Sequence, residues 1–503
     1  MMPVSGDELK IVMAASEAVP YAKTGGLADV VSALAIELTK LGHHVTLLLP
    51  GYRGRARAEF RQLAMRFSIP VNGQLIEVTV EAENLSVSDA VHQLRVFFVR
   101  YDPYFDRPGL YQQDHRDYPD NLERFVLFSR AILEIVRGLI ETRGEKIDVL
   151  HLHDWQTALC AVYLKTLPHE YKGLGQLKVL LTLHNLGYQG IFPGQEFVKM
   201  GLPPSLFSLN GLEFYGSVNC LKGGIIFSDA VSTVSPTYAK EIMTVEHGCG
   251  LEGVLASRVD GVKGIANGID MIAWNPANDS YLPAQYTISD LSGKRICKRA
   301  LQRELGLPNL DVPLLSVIGR LTFQKGFDLL IEVIPELMSL DTQIAILGTG
   351  DHHLEQQFIT AQATYPDRIG LSLGFDEGMA HRIEAGSDML IMPSRYEPCG
   401  LSQLYSLRYG TVPIVRRTGG LADTVVPFRP STIKSRRATG FHFIDASTDS
   451  LLSALLLSLH VYKEEETWAA LIYAGMKTDL SWDRSAKSYV DLYRELQSRS
   501  RTS

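Results

Sequence analysis

The chain has 503 residues, of which 46% are hydrophobic and 21% are charged, a balance typical of soluble globular proteins. One hydrophobic core rarely serves a chain of this length, so we expect two or more domains. The formal net charge of −7 argues against a general nucleic-acid binder. No apolar run is long enough to span a bilayer, and the first residues lack the apolar core of a signal peptide. We therefore expect neither a nucleic acid nor a membrane as partner.

The first part of the chain predicts a strand–helix–strand unit. Residues 9–15 and 44–50 are apolar runs typical of buried parallel strands, and the segment between them repeats its apolar residues at helical spacing. Residues 61–100 alternate as a β meander does, and residues 125–140 have the pattern of a helix.

Polar side chains follow three further predicted strands, at 148–154, 178–185 and 230–236. Ligands of parallel α/β sheets bind outside the carboxyl ends of the strands. We therefore expect His153, Asp154, His184 and Asn185 to point toward a cleft.

A second α/β series is predicted after residue 270. Its short buried strands are 313–320, 343–351, 370–375, 389–394 and 411–417. No long linker separates the two series, so the boundary near 265–310 is predicted to be a short hinge. The fold class is therefore α/β, with two doubly wound, Rossmann-like domains that share a cleft, and an amphipathic helix at 481–496 ends the chain.

The phrase TGGLAD occurs twice, at 24–29 after Lys23 and at 418–423 after Arg417. Glycines before a helix leave backbone N–H groups free and allow close approach to a phosphate. A single GG is more often only a tight turn between a strand and a helix. Two copies with matching basic flanks favour two anion-binding loops, although a duplication without function would leave the same trace.

Arg320 and Lys325 stand five apart in the loop GRLTFQKG, directly after a predicted strand. An Arg fork and a Lys point charge at this spacing can neutralise a diphosphate from one side. A lone Arg/Lys pair is more often a solvated surface pair.

Glu397 lies in the turn SRYEPCG between a predicted strand and a helix. A carboxylate there can bind sugar hydroxyls or stabilise positive charge, and the plainer alternative is that it complements the helix dipole. Cys399 in the same turn has the usual character of a small buried residue.

The segment HLHDWQ places His151 and His153 on one face of a strand. A metal site is a weak alternative here, because no HExxH pattern exists, and we favour hydrogen bonding by His153. No Asp-x-Asp motif occurs, and the scattered cysteines form no CxxC pair. We therefore expect reduced thiols, a cytoplasmic location, and phosphate binding by Arg, Lys and helix ends without a metal.

Over almost its whole length the chain resembles the bacterial glycogen synthases and plant starch synthases. The motifs SEAVPYAKTGGLADV, HLHDWQ, LHNLGYQG, NGID and GRLTFQKG occur in order, and the most specific block runs from SRYEPCGLSQLYSLRYGTVP to RRTGGLADTV. These are retaining glucosyltransferases with the glycosyltransferase-B fold, two Rossmann-like domains facing a deep cleft. The resemblance implies an acceptor-side domain at 1–265, a nucleotide-sugar donor domain at 266–480, and a helix at 481–503 that packs back on the first domain.

The resemblance also implies roles for the residues that match these motifs. The implied catalytic residues are Glu397, Lys23, Arg320, Lys325 and His153. The residues implied to bind the donor are Gly25, Gly26, Asp29, Asn267, Tyr396, Cys399, Gly400, Thr418 and Gly419. The residues implied on the acceptor side are Glu17, Asp154 and Asn185.

The implied reaction transfers glucose from ADP-glucose to the nonreducing end of an α-1,4-glucan such as glycogen, with retained configuration and no metal or other cofactor. No pair of carboxylates suggests a double displacement, so a front-face mechanism fits better. In that mechanism Glu397 orients the substrate and supplies charge, and it is not a nucleophile. The residues alone do not distinguish adenine from uracil in the donor.

Two alternatives stay open from the sequence. One is a glycosyltransferase-B enzyme of another specificity, such as sucrose synthase or a pyridoxal-phosphate-dependent glycogen phosphorylase. The other is a glucan-binding or regulatory protein that has lost turnover. The presence of Lys23, Arg320, Lys325 and Glu397 favours an active transferase.

Overall fold

The computed structural model describes residues 8–53, 62–114 and 116–499, and their contacts divide the chain into two compact units. Unit 1 comprises the chain up to Val234, Ala239–Asn267 and the chain from Trp482 onward, and unit 2 comprises Ser235–Tyr238 and Gly268–Ser481. The domain boundaries after residues 265 and 480, with their acceptor-side and donor-side labels, stay predictions.

The strands and helices are numbered in chain order. The strands are β1 Lys10–Ala14, β2 His44–Pro50, β3 Gln62–Val71, β4 Gln74–Leu85, β5 Leu94–Arg100, β6 Gln112–Gln113, β7 Arg116–Asp117, β8 Val149–His153, β9 Lys178–Leu183, β10 Ile191–Pro193, β11 Glu213–Phe214, β12 Ser217–Asn219, β13 Ala230–Thr233, β14 Val262–Gly264, β15 Leu314–Ile318, β16 Gln343–Gly348, β17 Ile369–Leu373, β18 Met389–Met392, β19 Val412–Arg416 and β20 Phe441–Phe443. The helices are α1 Gly26–Lys40, α2 Asp102–Phe105, α3 Asn121–Glu141, α4 Trp155–Thr166, α5 Cys220–Phe227, α6 Pro236–Glu241, α7 Glu252–Ala256, α8 Ser292–Glu304, α9 Phe327–Met338, α10 His352–Thr364, α11 Glu377–Gly386, α12 Ser402–Tyr409, α13 Gly419–Thr424, α14 Pro430–Lys434, α15 Thr448–Tyr462, α16 Glu465–Lys477 and α17 Trp482–Ser498.

The main sheet of unit 1 has the order β14-β13-β9-β8-β1-β2-β5-β4-β3. The strands from β14 to β5 are parallel, because each is reached by a crossover, whereas β4 and β3 add antiparallel hairpins at one edge. The predicted meander is therefore an extension of the main sheet through β5. The chain leaves β1 toward β2 on one side, and β8 later pairs on the other side. This reversal between β1 and β8 is the switch point where doubly wound sheets bind ligands.

The sheet of unit 2 has the order β17-β16-β15-β18-β19-β20, and its paired strands are all parallel. Its centre is mainly apolar: Leu315, Ile344, Ile391 and Ile414 are at most 1% exposed, and the buried Ser316 hydroxyl donates to Met389 O. A strand covered on both faces is apolar over most of its length, which explains why these runs do not alternate. The strand order reverses between β15 and β18, so the switch point of this unit lies between the loops that follow those two strands.

Helix α17 belongs to unit 1, although it ends the described chain. Its apolar side chains recur at helical spacing, and Trp482, Ala486, Tyr489 and Tyr493 lie in the same buried cluster as side chains of α1. The Tyr493 hydroxyl is 2.8 Å from Nδ1 of buried His151 at the centre of the sheet. Among the helices of the described chain, none combines the length and apolarity that a bilayer crossing requires.

Candidate active site

Two candidate clusters lie at the two switch points, one in each unit. In unit 1 the loop after β1 is held by the buried Glu17 carboxylate. Its oxygens accept hydrogen bonds from Thr24 N (2.5 Å), Thr24 Oγ1 (2.7 Å), Gly25 N (3.3 Å) and the Tyr111 hydroxyl (2.7 Å). These four donors belong to the protein, so the structure assigns Glu17 to holding the first TGG loop. Its predicted contact with the acceptor stays a prediction.

The first TGG loop leaves space at the start of α1. Gly25 is the N-cap residue of α1 and has an extended backbone (φ −161°). No side chain caps the helix at this position. A Cβ at Gly25 would meet no atom of the described chain within 4 Å. Lys23 and Asp29 form an ion pair of 2.8 Å beside this loop, and each side chain is about one-third exposed. The N-terminus of α1, which begins at Gly26, is the positive end of the helix dipole, and the space beside Gly25 gives an anion access to it.

Three histidines lie next to this switch point. His151 and His153 are fully buried with ring centroids 4.1 Å apart, and His153 Nδ1 is 2.9 Å from His184 Nε2. Burial lowers the pKa of His151 and of His184 to about 3, and it holds the pKa of His153 well below its usual range. All three rings are therefore neutral at pH 7. The Nδ1 atom of His153 is therefore engaged by His184 within the protein.

The His153 Nε2 atom is the unsatisfied end of this chain of rings. It is buried and has no hydrogen-bond partner among the described residues. Unpaired buried polar atoms are rare and costly, and in a site they mark where a ligand group belongs. His184 holds the His153 ring through the hydrogen bond at Nδ1, which leaves Nε2 for a ligand group.

Asp154 begins the turn from β8 into α4 with a left-handed backbone (φ 56°), and its Oδ1 accepts the His184 backbone N–H at 2.7 Å. Burial raises the pKa of this carboxyl to about 7, against the lowering effect of the backbone N–H groups of His184 and Asn185. The Asn185 side chain accepts the Gly187 N–H at 2.9 Å and so closes its own turn. Asp154 and Asn185, two of the three predicted acceptor-side residues, thus each stabilise a loop.

The raised pKa of Asp154 predicts a pH-dependent stability. The folded state binds this proton more tightly than the unfolded chain does. The stabilisation that the bound proton of Asp154 provides is therefore complete below about pH 4, and it is lost as the pH rises toward 7. Relative to Asp154→Asn, we expect the free energy of unfolding of the wild type to fall by up to about 1.4 kcal/mol per pH unit within that window. Urea unfolding of both proteins between pH 5 and 8 measures this difference. A difference that does not change with pH would show that the pKa of this carboxyl is ordinary.

In unit 2 the switch point carries an ion pair between Glu397 and Lys325. The Lys325 ammonium is 2.6 Å from Glu397 Oε2, and the Ser394 hydroxyl donates to the same oxygen at 2.9 Å. Both side chains are largely buried, with 19% of Lys325 and 7% of Glu397 exposed. The carboxylate therefore does not serve the dipole of α12, which begins five residues later. A buried pair of this kind holds two opposite charges in fixed positions without reorganisation.

Three loops pack tightly around this ion pair. A Cβ at Gly326 would lie 2.1 Å from Pro393 O, a Cβ at Gly419 would lie 1.9 Å from Glu397 O, and a Cβ at Gly420 would lie 2.0 Å from Cys399 O. Gly419 is also left-handed (φ 43°), and Gly420 N donates to Glu397 O at 3.0 Å. The glycines of the second TGG therefore allow the close contact of two protein loops. In the first TGG a Cβ at Gly25 would meet no described atom, whereas in the second TGG the same position has no room for a Cβ.

The other predicted donor-side residues surround these loops. Arg320 is exposed just beyond β15, Tyr396 is half-buried and its carbonyl accepts from Gln324, and Cys399 is 8% exposed. Gly400 has a left-handed backbone (φ 72°), and Thr418 is the extended N-cap residue of α13. Asn267 is grouped with unit 1, and its buried Oδ1 has no hydrogen-bond partner among the described residues.

Sequence reasoning did not identify Tyr111 or Ser394, and it noted His184 only as a polar residue at a strand end. Tyr111 and His184 lie within motifs, yet their partners are remote in the chain: 94 residues separate Tyr111 from Glu17, and 31 separate His184 from His153. Only Ser394 carried a local signal, because it stands three residues before Glu397 in the turn after β18.

Comparison with known proteins identifies the family. The starch synthase catalytic domain model matches residues 10–257, and the glycosyl transferases group 1 model matches residues 298–475. A glycogen synthase of Anaeromyxobacter sp. (strain Fw109-5) is 43% identical over 490 residues, which cover 97% of this chain and 99% of that protein.

The chain belongs to the glycogen synthase and starch synthase family.

Other relatives agree with this assignment. A glycogen synthase of Koribacter versatilis (strain Ellin345) is 42% identical over 489 residues, 96% of this chain and 98% of that protein. The catalytic domain of starch synthase IV from Arabidopsis thaliana, bound to ADP and acarbose, has a TM-score of 0.87 and 36% identity, with 98% of this chain and 100% of that chain covered. A sucrose-phosphate synthase from Thermosynechococcus elongatus, at 16% identity and a TM-score of 0.59, shares the fold alone.

The predicted family and the glycosyltransferase-B fold class are confirmed, and this family member is a glucosyltransferase as predicted. The roles of individual site residues stay predictions. So do the donor, the acceptor and the independence from metal.

Proposed function

We propose that this enzyme transfers glucose from ADP-glucose to the 4-hydroxyl at the nonreducing end of an α-1,4-glucan, with retention of configuration. The observation that carries the proposal is the Glu397–Lys325 pair of 2.6 Å at the switch point of unit 2, with Glu397 inside the most specific family motif and Lys325 in the motif GRLTFQKG. A fixed carboxylate beside a fixed ammonium suits a reaction that separates charge between a sugar and a departing phosphate.

In the proposed reaction the bond between glucose and the diphosphate breaks. Positive charge then develops at the anomeric carbon, and negative charge develops on the leaving oxygen. Lys325 and the exposed Arg320 supply positive charge for the leaving diphosphate, and Glu397 stabilises and orients the glucose. In the described chain, the groups that contact the Glu397 carboxylate are an ammonium and a hydroxyl rather than a second carboxylate. The proposed transfer is front-face: the incoming hydroxyl oxygen bonds to the anomeric carbon, and the leaving phosphate takes its proton.

The histidines of the unit 1 cluster supply polar contacts without charge. His153 is neutral and presents the buried, unpartnered Nε2 atom, which suits a hydrogen bond to a sugar hydroxyl. Lys23 and the open N-terminus of α1 supply anion-binding groups. Glu17, Asp154 and Asn185 keep these groups in position.

ADP-glucose is the proposed donor and glycogen the proposed acceptor. The Arabidopsis relative is described as bound to ADP, which supports an adenine nucleotide, and the curated relatives are named glycogen synthases. The proposal includes no metal, because Arg, Lys and backbone N–H groups can balance the diphosphate charge. A cytoplasmic location is part of the same proposal.

The decisive experiment measures glucose transfer to glycogen from ADP-glucose and UDP-glucose in parallel, with and without EDTA. We expect glycogen-dependent ADP release, a clear preference for ADP-glucose, no loss of initial rate in EDTA, and an α-linkage by proton NMR of the product. Preference for UDP-glucose would contradict the proposed donor, and loss of rate in EDTA would contradict the proposal that the reaction needs no metal.

A well-folded protein that binds glycogen and transfers glucose from neither donor would favour the glucan-binding alternative. Glucose 1-phosphate formation from glycogen and phosphate would instead indicate a phosphorylase.

A further inference from the structure

A cluster of metal-ligand side chains lies at the edge of unit 1 opposite its candidate cluster. Glu8 lies two residues before β1 begins, His44 is the first residue of β2, and His92 lies two residues before β5 begins. These strands are neighbours in the order β1-β2-β5, and the register pairs Lys10 with His44. Three adjacent parallel strands thus each bring one ligand to the amino edge of the sheet, whereas ligands of the enzyme reaction bind at the carboxyl edge.

The distances within this cluster match those of a first coordination sphere. His44 Nε2 is 3.3 Å from Glu8 Oε2, and His92 Nε2 is 3.6 Å from the same oxygen. The three ligand atoms lie within 4.8 Å of one another, and no other such group occurs among the described residues. Tetrahedral Zn²⁺ with nitrogen and oxygen ligands near 2.1 Å separates neighbouring ligand atoms by about 3.4 Å.

Two further observations indicate that the imidazoles are prepared to bind a cation. The His92 Nε2 atom is buried without a hydrogen-bond partner in the described chain, although it points to a carboxylate. The two rings stack with centroids 3.8 Å apart, an arrangement suited to neutral rings, because two imidazolium ions would repel each other.

Among the residues that the structure describes, three side chains offer ligand atoms to this site. Buried His43 lies beside the cluster, but its Nδ1 accepts the Leu9 N–H at 3.2 Å. Lys10 contributes positive charge near His44, and Arg494 does so near His43, which lowers the affinity for any cation. Glu8 is 61% exposed and His44 is 42% exposed, so solvent can supply the fourth ligand.

We propose that Glu8, His44 and His92 bind one divalent transition-metal ion, with Zn²⁺ as the reference ion, and that the ion ties together the amino ends of three neighbouring strands. Imidazole ligands favour Zn²⁺, Co²⁺, Ni²⁺ and Cu²⁺, whereas Mg²⁺ and Ca²⁺ require more oxygen ligands than this cluster offers. The site is separate from glucosyl transfer and does not depend on the proposed function.

The test uses the full-length protein with Cys249→Ser, because Cys249 is an exposed thiol that would bind zinc by itself. After removal of metals with EDTA and dialysis, isothermal titration with Zn²⁺ at pH 7.5 is expected to show one strong site per chain, and Mg²⁺ none. His92→Ala and Glu8→Gln are each expected to weaken that site by at least about tenfold, since even indirect partners of a metal change affinity by about 10- to 100-fold.

The matched control is His460→Ala, because the exposed His460 side chain lies 3.8 Å from the exposed Glu464 carboxylate, which makes a pair of one imidazole and one carboxylate. This variant is expected to keep the strong site. Zn²⁺ is also expected to raise the Tm of the parent protein and of His460→Ala, and to leave the Tm of Glu8→Gln unchanged. A strong zinc site that survives both His92→Ala and Glu8→Gln, or no strong site in the parent protein, would overturn the proposal.

Discussion

Glu397→Ala is expected to lower kcat for glucosyl transfer by about 10²–10³-fold, the usual loss when one fixed electrostatic group is removed from a reacting centre. The substitution removes the carboxylate that pairs with Lys325, and Ser394 loses its acceptor as well. Lys325 would then be free to leave the position in which it is proposed to receive the diphosphate. Steady-state kinetics with the donor that the wild type prefers, and saturating glycogen, measure the effect.

Glu397→Gln separates charge from shape. The amide keeps the volume and one oxygen for Ser394, but it cannot balance the Lys325 ammonium. We expect it to lower kcat nearly as much as Glu397→Ala does, while the far-UV circular dichroism spectrum stays that of the wild type. If the glutamine variant retained most of the activity, Glu397 would act through shape alone.

The control for both variants is Glu304→Gln. Glu304 also pairs with a cation, because Arg382 donates to its two oxygens at 2.8 Å each, but this pair is exposed at the surface of unit 2. Surface ion pairs contribute little, so activity and stability are expected to stay close to those of the wild type. A tenfold loss in this control would indicate a general electrostatic effect rather than a site effect. Activity of Glu397→Ala within tenfold of the wild type would contradict the proposed role.

The second large effect is expected from alanine at the two copies of TGG. Gly419→Ala places a Cβ 1.9 Å from Glu397 O on a residue with φ 43°. Overpacking costs about 1–3 kcal/mol, and a left-handed alanine about 1–2 kcal/mol more. We therefore expect the free energy of unfolding to fall by about 2–5 kcal/mol. Activity should fall with it, because the loop that moves carries the Glu397 carbonyl.

Gly25→Ala is the matched variant at the first copy. Its backbone is extended, and the new Cβ would meet no described atom within 4 Å, so stability should change by less than about 0.5 kcal/mol. If this loop approaches a ligand, kcat/KM is expected to fall by about 10- to 100-fold in a protein as stable as the wild type. Urea unfolding and kinetics on both variants check the contrast. Equal losses of stability at the two positions would contradict it, and full activity of Gly25→Ala would remove the first loop from the proposed site.

The apolar runs of the sequence identify most buried strands, because a strand covered on both faces is apolar over most of its length. These runs predict the first and last residues of helices and strands less accurately. Helix α3 begins at Asn121, four residues before the predicted start, because its first turn buries polar groups. Arg124 there is fully buried and donates to the carbonyls of Tyr104 and Leu110, contacts that no local pattern reveals.

The sequence by itself determined the family, the α/β class and the motifs that stand at the strand ends, because these depend on local composition and on the order of short segments. Tertiary structure decided what each motif touches. Glu397 meets Lys325 across 72 residues, because β15 and β18 are neighbours only after the sheet has formed. The two copies of TGGLAD have the same letters, yet Gly25 borders open space and Gly419 borders a carbonyl. A glycine is required by the atoms that surround it, and those atoms come from distant parts of the chain.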